Sequence, residues 1–300
     1  YCNRPFVSGF EQMTPDLLPK YFMPFSDTYE NDRRGSYIFS KKGETSRSVM
    51  LEAHVDELGF MITEVMADGF LRFSPVGYYN TLCLECQDVV IYGKKEVPGV
   101  ICARPDKPQD AKNIINLRTD WLYIDTGLSL DEVKKLIQPG DVALIRRKPF
   151  MLDGDIMCAR GMDDKAGVAE IIAACERIIA DDTMKHGRIS ICFTPDEEIG
   201  RGADRFDFER FGADFAYTVD GGELGEISNE NFNAAAVELT VHGINTHPGS
   251  AKNKMRNAIL FLNEFINLLP AAEIPACTEG REGFYHIESV SGNETEARLS

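Results

Sequence analysis

Three apolar runs of this chain stop abruptly in acid. "SVMLEA" (48–53) leads into His54 and Asp56, "RISICF" (188–193) into Asp196, Glu197 and Glu198, and "DFAYTV" (214–219) into Asp220. The second and third runs are nearly continuous in apolar residues, as strands covered on both faces are. A fourth cluster, Asp163 and Asp164, stands just before the helical pattern "KAGVAEIIAACERIIA" (165–180). In open α/β sheets ligands bind beyond the carboxyl ends of strands. The three strand-end clusters are therefore expected to meet at one crevice, with the Asp pair beside them. Each cluster has a plainer reading by itself: a surface turn at 54–56, a helix N-cap at 163–164, a solvated loop at 197–198, a turn before Gly221 and Gly222. Converging carboxylates repel one another, and a divalent cation offsets that repulsion. One imidazole with several carboxylate oxygens suits zinc or a similar ion. Two adjacent glutamates then divide the work. One faces a metal, and its neighbour points elsewhere, free to take a proton from an attacking water.

Between the first and second clusters the texture changes. From about 68 to 150 short β-like pieces dominate ("FLRF", "DVVIY", "VPGVICA", "WLYID", "DVALI"), separated by turn residues, the rhythm of a small β-barrel or sandwich. One helix interrupts it, with Ser129 and Glu132 predicted as a capping box. "SYIFS" (36–40) and "FMITEV" (60–65) also read as strands. From 151 the texture is α/β, and from about 228 a further partial domain is expected. In it "NAAAVELTVHG", from 233, reads as a strand and "NKMRNAILFLNEFINLL" (253–269) as an amphipathic helix.

The chain carries 48 acidic residues against 32 basic ones, a net charge of −16. Such a surface repels phosphate backbones, which argues against a nucleic-acid partner. No apolar stretch approaches the roughly 20 residues of a membrane span, so no membrane partner is expected either. No signal peptide is evident. The eight cysteines (Cys2, Cys83, Cys86, Cys102, Cys158, Cys175, Cys192 and Cys277) mostly sit in apolar runs. They read as free core thiols of a reducing, cytoplasmic compartment. Cys83 and Cys86 form one CxxC, but no second ligand pair lies nearby, so packing is expected rather than a structural zinc. The chain begins with Tyr1 and ends at "ETEARLS", which reads as an interrupted strand, so a fragment at both ends is expected.

Two resemblances enter at these residues. "MDDKAGVAEI", "FTPDEEIGRGADRFD", "FGADFAYTVDGGELGE", "HPGSAKNKMRNA" and "TEGREGFYH" make residues 159–300 similar to the peptidase T family of tripeptide aminopeptidases. "VSGFE", "AHVDELGFMIT", "FLRFSPVGYYN" and "YIDTGLSLDEVKKLIQPGD" make residues 1–165 resemble the glutamyl and tetrahedral aminopeptidases. The first group inserts a domain after its ligand Asp, and the second inserts a β-domain between its His strand and its Asp pair. This chain carries both insertions. It reads as a mosaic, either natural or made when the sequence was assembled.

The shared di-zinc core implies the fold. It is α/β, a three-layer zinc-peptidase (phosphorylase/hydrolase-like) core over 1–67 and 151–227, with an inserted β-barrel domain over 68–150 and a partial α+β lid or dimerisation domain over 228–300. The resemblance also implies roles. His54 and Asp220 would bind one zinc, Asp163 would bridge two, and Glu198 would bind the second. Asp56 would orient His54, Glu197 would be the general base, and the Asp163–Asp164 peptide would be cis. His247, in "THPGS", matches a lid histidine that approaches substrate, and Asn253 is a weaker candidate there. Both families use a further His ligand near their carboxyl terminus; His186, His242 and His286 lack a fitting context for it. The implied activity is removal of the amino-terminal residue from short peptides, tripeptides included. It would use two zinc ions, with cobalt or manganese as substitutes, in a homo-oligomer. The rival readings are a non-catalytic chain with an incomplete second metal site that acts as an oligomer partner, and a carboxypeptidase or deacylase of the wider clan.

Overall fold

In the computed structural model, which describes residues 3–32, 35–103, 119–204 and 206–300, the chain divides into two units, Tyr1–Leu224 and Gly225–Ser300. The first opens with α1 (Leu17–Phe22), the hairpin of β1 (Thr28–Asn31) and β2 (Tyr37–Lys41), and β3 (Ser48–His54). Six strands then close into a barrel: β4 (Gly59–Val65), β5 (Leu71–Val76), β6 (Asp88–Tyr92), β7 (Glu96–Ala103), β8 (Leu122–Asp125) and β9 (Val142–Ile145). Side chains alternate between the two faces of each strand, so one face fills the interior, while in β6 and β9 the other face is buried as well. Phe60, Ile62, Leu71, Ile91, Ile101 and Ile124 are fully buried in the interior. The barrel therefore starts at β4, earlier than the texture change near 68, because β4 pairs with both β5 and β9. Between β8 and β9 lies α2 (Leu130–Leu136), begun by the expected Ser129–Glu132 capping box.

A short hairpin, β10 (Phe150–Met151) and β11 (Met157–Cys158), leads to α3 (Met162–Ala180). Next come β12 (Arg188–Thr194), α4 (Phe208–Phe211) and β13 (Phe215–Thr218). These strands complete a mixed sheet in the order β1-β2-β12-β3-β13, in which β12 and β13 run parallel to β3. Alternate residues of β12, Ile189, Ile191 and Phe193, share a core with Leu18 and Phe22 of α1 and Val168 and Ile171 of α3. The Phe22 ring lies 4.7 Å from Phe193 and 5.3 Å from Phe39. β13 departs from expectation. It is an edge strand, with Phe215 44% and Tyr217 50% exposed, because among the described residues it pairs only with β3.

The second unit contains β14 (Leu239–His242), α5 (Ala258–Leu268), β15 (Val290–Gly292) and β16 (Glu296–Leu299), with an antiparallel sheet ordered β14-β16-β15. The strand is shorter than "NAAAVELTVHG". The helix starts at 258 rather than 253, because the Asn257 side chain caps Ile259 N and Leu260 N. Ala258 and Leu262 pack on Ala297 and Leu299. Among the described residues no helix is long and apolar enough to cross a membrane. The cysteines divide: Cys175 and Cys192 are buried, but Cys83, Cys86 and Cys277 are exposed free thiols, so the CxxC is not core packing. Cys2 lies outside the described residues.

Gly167 is where α3 meets the sheet, since a Cβ there would run into the Val219 carbonyl, one residue before Asp220. The substitution Gly167→Ala is expected to cost about 2 kcal/mol by forcing helix and strand apart. Urea unfolding of the variant against the parent measures it.

Candidate metal centre

The parallel pairings position the site. In the β12–β3 register Thr194 lies beside His54, and in the β13–β3 register Thr218 lies beside Glu52. The three strands therefore leave the sheet along one edge, and His54, the Glu197–Glu198 turn and Asp220 emerge together. The start of α3 joins them. Asp163 and Asp164 are linked by a cis peptide, as the resemblance implied, and neither has helical dihedrals. Asp164 is buried, and its Oδ1 accepts from Gly167 N at 3.0 Å, so it does the N-capping. The Asp163 side chain is 74% exposed and faces His54.

His54 is buried between acceptors. Its Nε2 lies 2.9 Å from Asp163 Oδ1 and 3.8 Å from Glu197 Oε2. Its Nδ1 lies 3.1 Å from the Asp56 carbonyl and 3.4 Å from Asp56 Oδ1. Because Nδ1 meets only acceptors, a neutral ring keeps its proton there and turns the Nε2 lone pair toward Asp163. Ligand atoms of His54, Asp163 and Asp220 all lie within 4.8 Å of one another. An imidazole and two carboxylates at that separation fit a divalent ion. Among the described residues no other such group of three forms, and Glu198 is outside it.

Charge in the cluster behaves accordingly. Burial, reinforced by neighbouring carboxylates, pushes Asp164 and Glu198 up to about 7. Burial also raises Glu197 and Asp220 above the usual carboxylate range. For His54 burial pulls downward, but hydrogen bonds to Asp56 and Asp163 outweigh it and lift the imidazole to about 10. Asp56 is fully buried, which opposes its charge, yet its donors hold it below the usual range. These donors include Ser8 Oγ at 2.6 Å, Glu197 N at 3.0 Å and Glu198 N at 3.1 Å.

Some site neighbours were not singled out from the sequence. Glu57 and Lys165, each 1% exposed, form an ion pair of 2.8 Å. Glu57 also accepts from Arg160 Nε at 2.9 Å, and Arg160 reaches the carbonyls of Ile145 and Arg4. This network joins the β3 exit to the α3 start. Its sequence signal was slight: Glu57 follows Asp56, and Lys165 follows the Asp pair. The barrel also abuts the glutamates, since a Cβ on Gly77 would stand 3.2 Å from the Glu198 carbonyl. His247 and Asn253 lie in the second unit. His247 Nδ1 accepts from Gly249 N at 3.1 Å and lines a hollow with Asn245, Met255 and Glu294. Asn253 takes a left-handed φ of 60°.

Residues 35–249 match the family described as M42 glutamyl aminopeptidase. The chain belongs to the M42 glutamyl aminopeptidase family. Residues 229–299 also match a peptidase dimerisation domain. The peptidase T of Halothermothrix orenii is 61% identical over 139 residues, which is 46% of this chain and 34% of that one. The M42 chain thus spans about a third of that relative's length. Among solved structures it is similar to the aminopeptidase APDkam598 of the archaeon Desulfurococcus kamchatkensis. The TM-score is 0.67 at 27% identity, over 77% of this chain and 63% of that one. It is also similar to the TET1 peptidase of Pyrococcus horikoshii, with a TM-score of 0.63 at 29% identity over 73% and 66% of the two chains. The M42 chain therefore combines peptidase T and glutamyl-aminopeptidase features, and its M42 match reaches well past residue 165.

In the metal-free protein, stabilisation by protonated His54 is complete below its ordinary value of 6.5 and is lost as pH rises toward 10. A metal must displace that proton. At pH 7 divalent-ion uptake is expected to release about one proton from His54, with affinity rising as pH rises. Calorimetric titration in buffers of different ionisation enthalpy counts the protons, and none released would mean that His54 carries no proton to displace at pH 7.

Proposed function

We propose that this protein is a metallo-aminopeptidase that releases the amino-terminal residue of short peptides, tripeptides among them. The observation that carries the proposal is the meeting of His54, Asp163 and Asp220 within 4.8 Å, with Glu197 beside His54, in a chain of this family. In this reading His54, Asp163 and Asp220 hold one ion, and Asp163 with Glu198 contributes to a second. Zinc suits the donor set, and cobalt or manganese can substitute. When bound, the metal acts as a Lewis acid on the scissile carbonyl and makes water a better acid.

The chain's own residues supply the rest. Asp56 keeps His54 oriented through Nδ1. Glu197 is half-exposed and raised above the usual carboxylate range, which suits a group that must gain and lose a proton. Its carboxylate takes the proton of the attacking water and passes it to the departing amine. The surrounding carboxylates favour the ammonium of a peptide amino terminus. His247 and Asn253 are proposed to contact substrate. The match over 229–299 and the exposed apolar side of α5, including Leu260 and Phe265, support a homo-oligomer. The similar TET1 peptidase of Pyrococcus horikoshii can assemble into a tetrahedron or a large octahedral shell, which also favours assembly. Free thiols support a cytoplasmic location.

Glu197→Gln is expected to lower kcat by about 10²–10⁴-fold while metal content stays near that of the parent, because the amide cannot take the proton. Equal loss of metal would make Glu197 a ligand and reverse its pairing with Glu198. His54→Ala and Asp220→Ala are expected to lose the same ion and the thermal stabilisation that the ion confers. Elemental analysis and melting with and without zinc test this. Metal content matching the parent in both variants would dissolve the assigned site. A metal-loaded protein that cleaves no peptide would favour the oligomer-partner reading.

A further inference from the structure

Glu11 is a buried carboxyl for which the peptidase reading has no use. It is 5% exposed, in a segment that also contains Ser8, 3% exposed. We propose that Glu11, supported by Ser8, is a positioning residue that sets the turn carrying Glu197 and Glu198. The proposal rests on the peptidase reading for its catalytic consequence, but not for its geometry.

The turn is held through three consecutive backbone N–H groups by two buried carboxyls. Asp196 N donates to Glu11 Oε1 at 3.2 Å. Glu197 N donates to Asp56 Oδ1 at 3.0 Å, and Glu198 N to Asp56 Oδ2 at 3.1 Å. Asp196 has a left-handed φ of 62°. Aspartate adopts that conformation more readily than most residues, so it is the hydrogen bonds to its own N–H and the next two that fix it. Those bonds come from both sides, with Glu11 at the first N–H and Asp56 at the next two. One step beyond, the chain forms a single 3-10 turn over Glu197–Ile199, so the dihedrals at 196 decide where both glutamates point.

Glu11 is itself fixed. Its Oε1 also accepts from Gly9 N at 3.1 Å, and Ser8 Oγ donates to Asp56 Oδ2 at 2.6 Å. The segment is tied to the β3 exit, since Glu57 N donates to Phe6 O at 2.7 Å and Val7 bridges to Glu57 in parallel. Residues 6–11 therefore grip the loop after β3 and the turn after β12 together. The role requires an acceptor rather than a charge, because each bond to Glu11 comes from a neutral backbone N–H. Glutamine can serve that role, and leucine, of similar bulk, cannot.

The test compares Glu11→Leu and Glu11→Gln in the intact, metal-loaded protein. Glu11→Leu is expected to lose about tenfold or more in kcat, because a small misplacement of a reacting group is costly. KM is expected to stay within about twofold, since no substrate contact is removed. The ion held by His54, Asp163 and Asp220 is expected to be retained. Amide hydrogen exchange is expected to quicken about tenfold or more in the segment 195–199 and at Gly9, whose N–H also bonds to Glu11, and not elsewhere in the first unit. Glu11→Gln is expected to restore both kcat and protection. Ser8→Ala is expected to shift both in the same direction more mildly, and it carries the test if Glu11→Leu fails to fold. Parent-like kcat and exchange in Glu11→Leu would overturn the proposal. So would a loss that glutamine does not restore, or an exchange increase spread evenly over the unit. A parent protein without peptidase activity would sink the functional reading, and local exchange at 195–199 would still decide the clamp.

Discussion

One buried carboxylate organises the site. Asp56 is fully buried, and an uncompensated charge in that position would be prohibitive. Ser8 Oγ and the backbone N–H groups of Glu197 and Glu198 donate to it, and His54 Nδ1 faces it. These partners come from different parts of the chain: the amino-terminal segment, the turn after β12, and β3 itself. The same oxygens that keep the carboxylate charged therefore align the imidazole and aim the two glutamates. The tautomer of His54, the direction of Nε2 and the position of Glu197 follow from this one set of bonds.

Around Asp56 the charges are unbalanced in the metal-free state. Several carboxylates share a half-buried space, and Asp164 and Glu198 reach about 7. His54 is the cation beside them that opposes this rise, and it is itself lifted to about 10. In the proposed reading a divalent ion would replace the proton on His54 and supply the missing positive charge, which is the physical reason to read the cluster as a candidate metal centre. Glu57 and Lys165 lie behind the cluster and are paired with each other, so they support position rather than chemistry.

The barrel explains how so long an insertion leaves the site intact. His54 and Asp163 are 109 residues apart in sequence, yet their side chains are 2.9 Å apart. The chain leaves the sheet after β3, closes a barrel with its own core, and returns to the same edge at α3. Arg160, bonded to Glu57 and to the Ile145 carbonyl, secures the return. The close approach of Gly77 to Glu198 brings the barrel rim against the glutamate pair.

Much of this was open to reading in the sequence, because local patterns express local physics. Apolar runs ending in acid marked β3, β12 and the Asp220 loop, and helical periodicity marked α3. Alternation with turn residues marked the barrel, and Ser129 with Glu132 marked a helix start. What the sequence could not express were relations between residues far apart along it. The exposure of β13 depends on which strands flank it, and the start of the barrel at β4 depends on pairing with β9. Glu11 and Ser8 were part of a motif with no visible task until folding set them against partners 185 and 48 residues away in sequence. Residue types and spacing determined that a cation site could exist. Only the tertiary structure decided which oxygens face His54 and which N–H groups hold the glutamate turn, because those bonds exist only when distant segments meet.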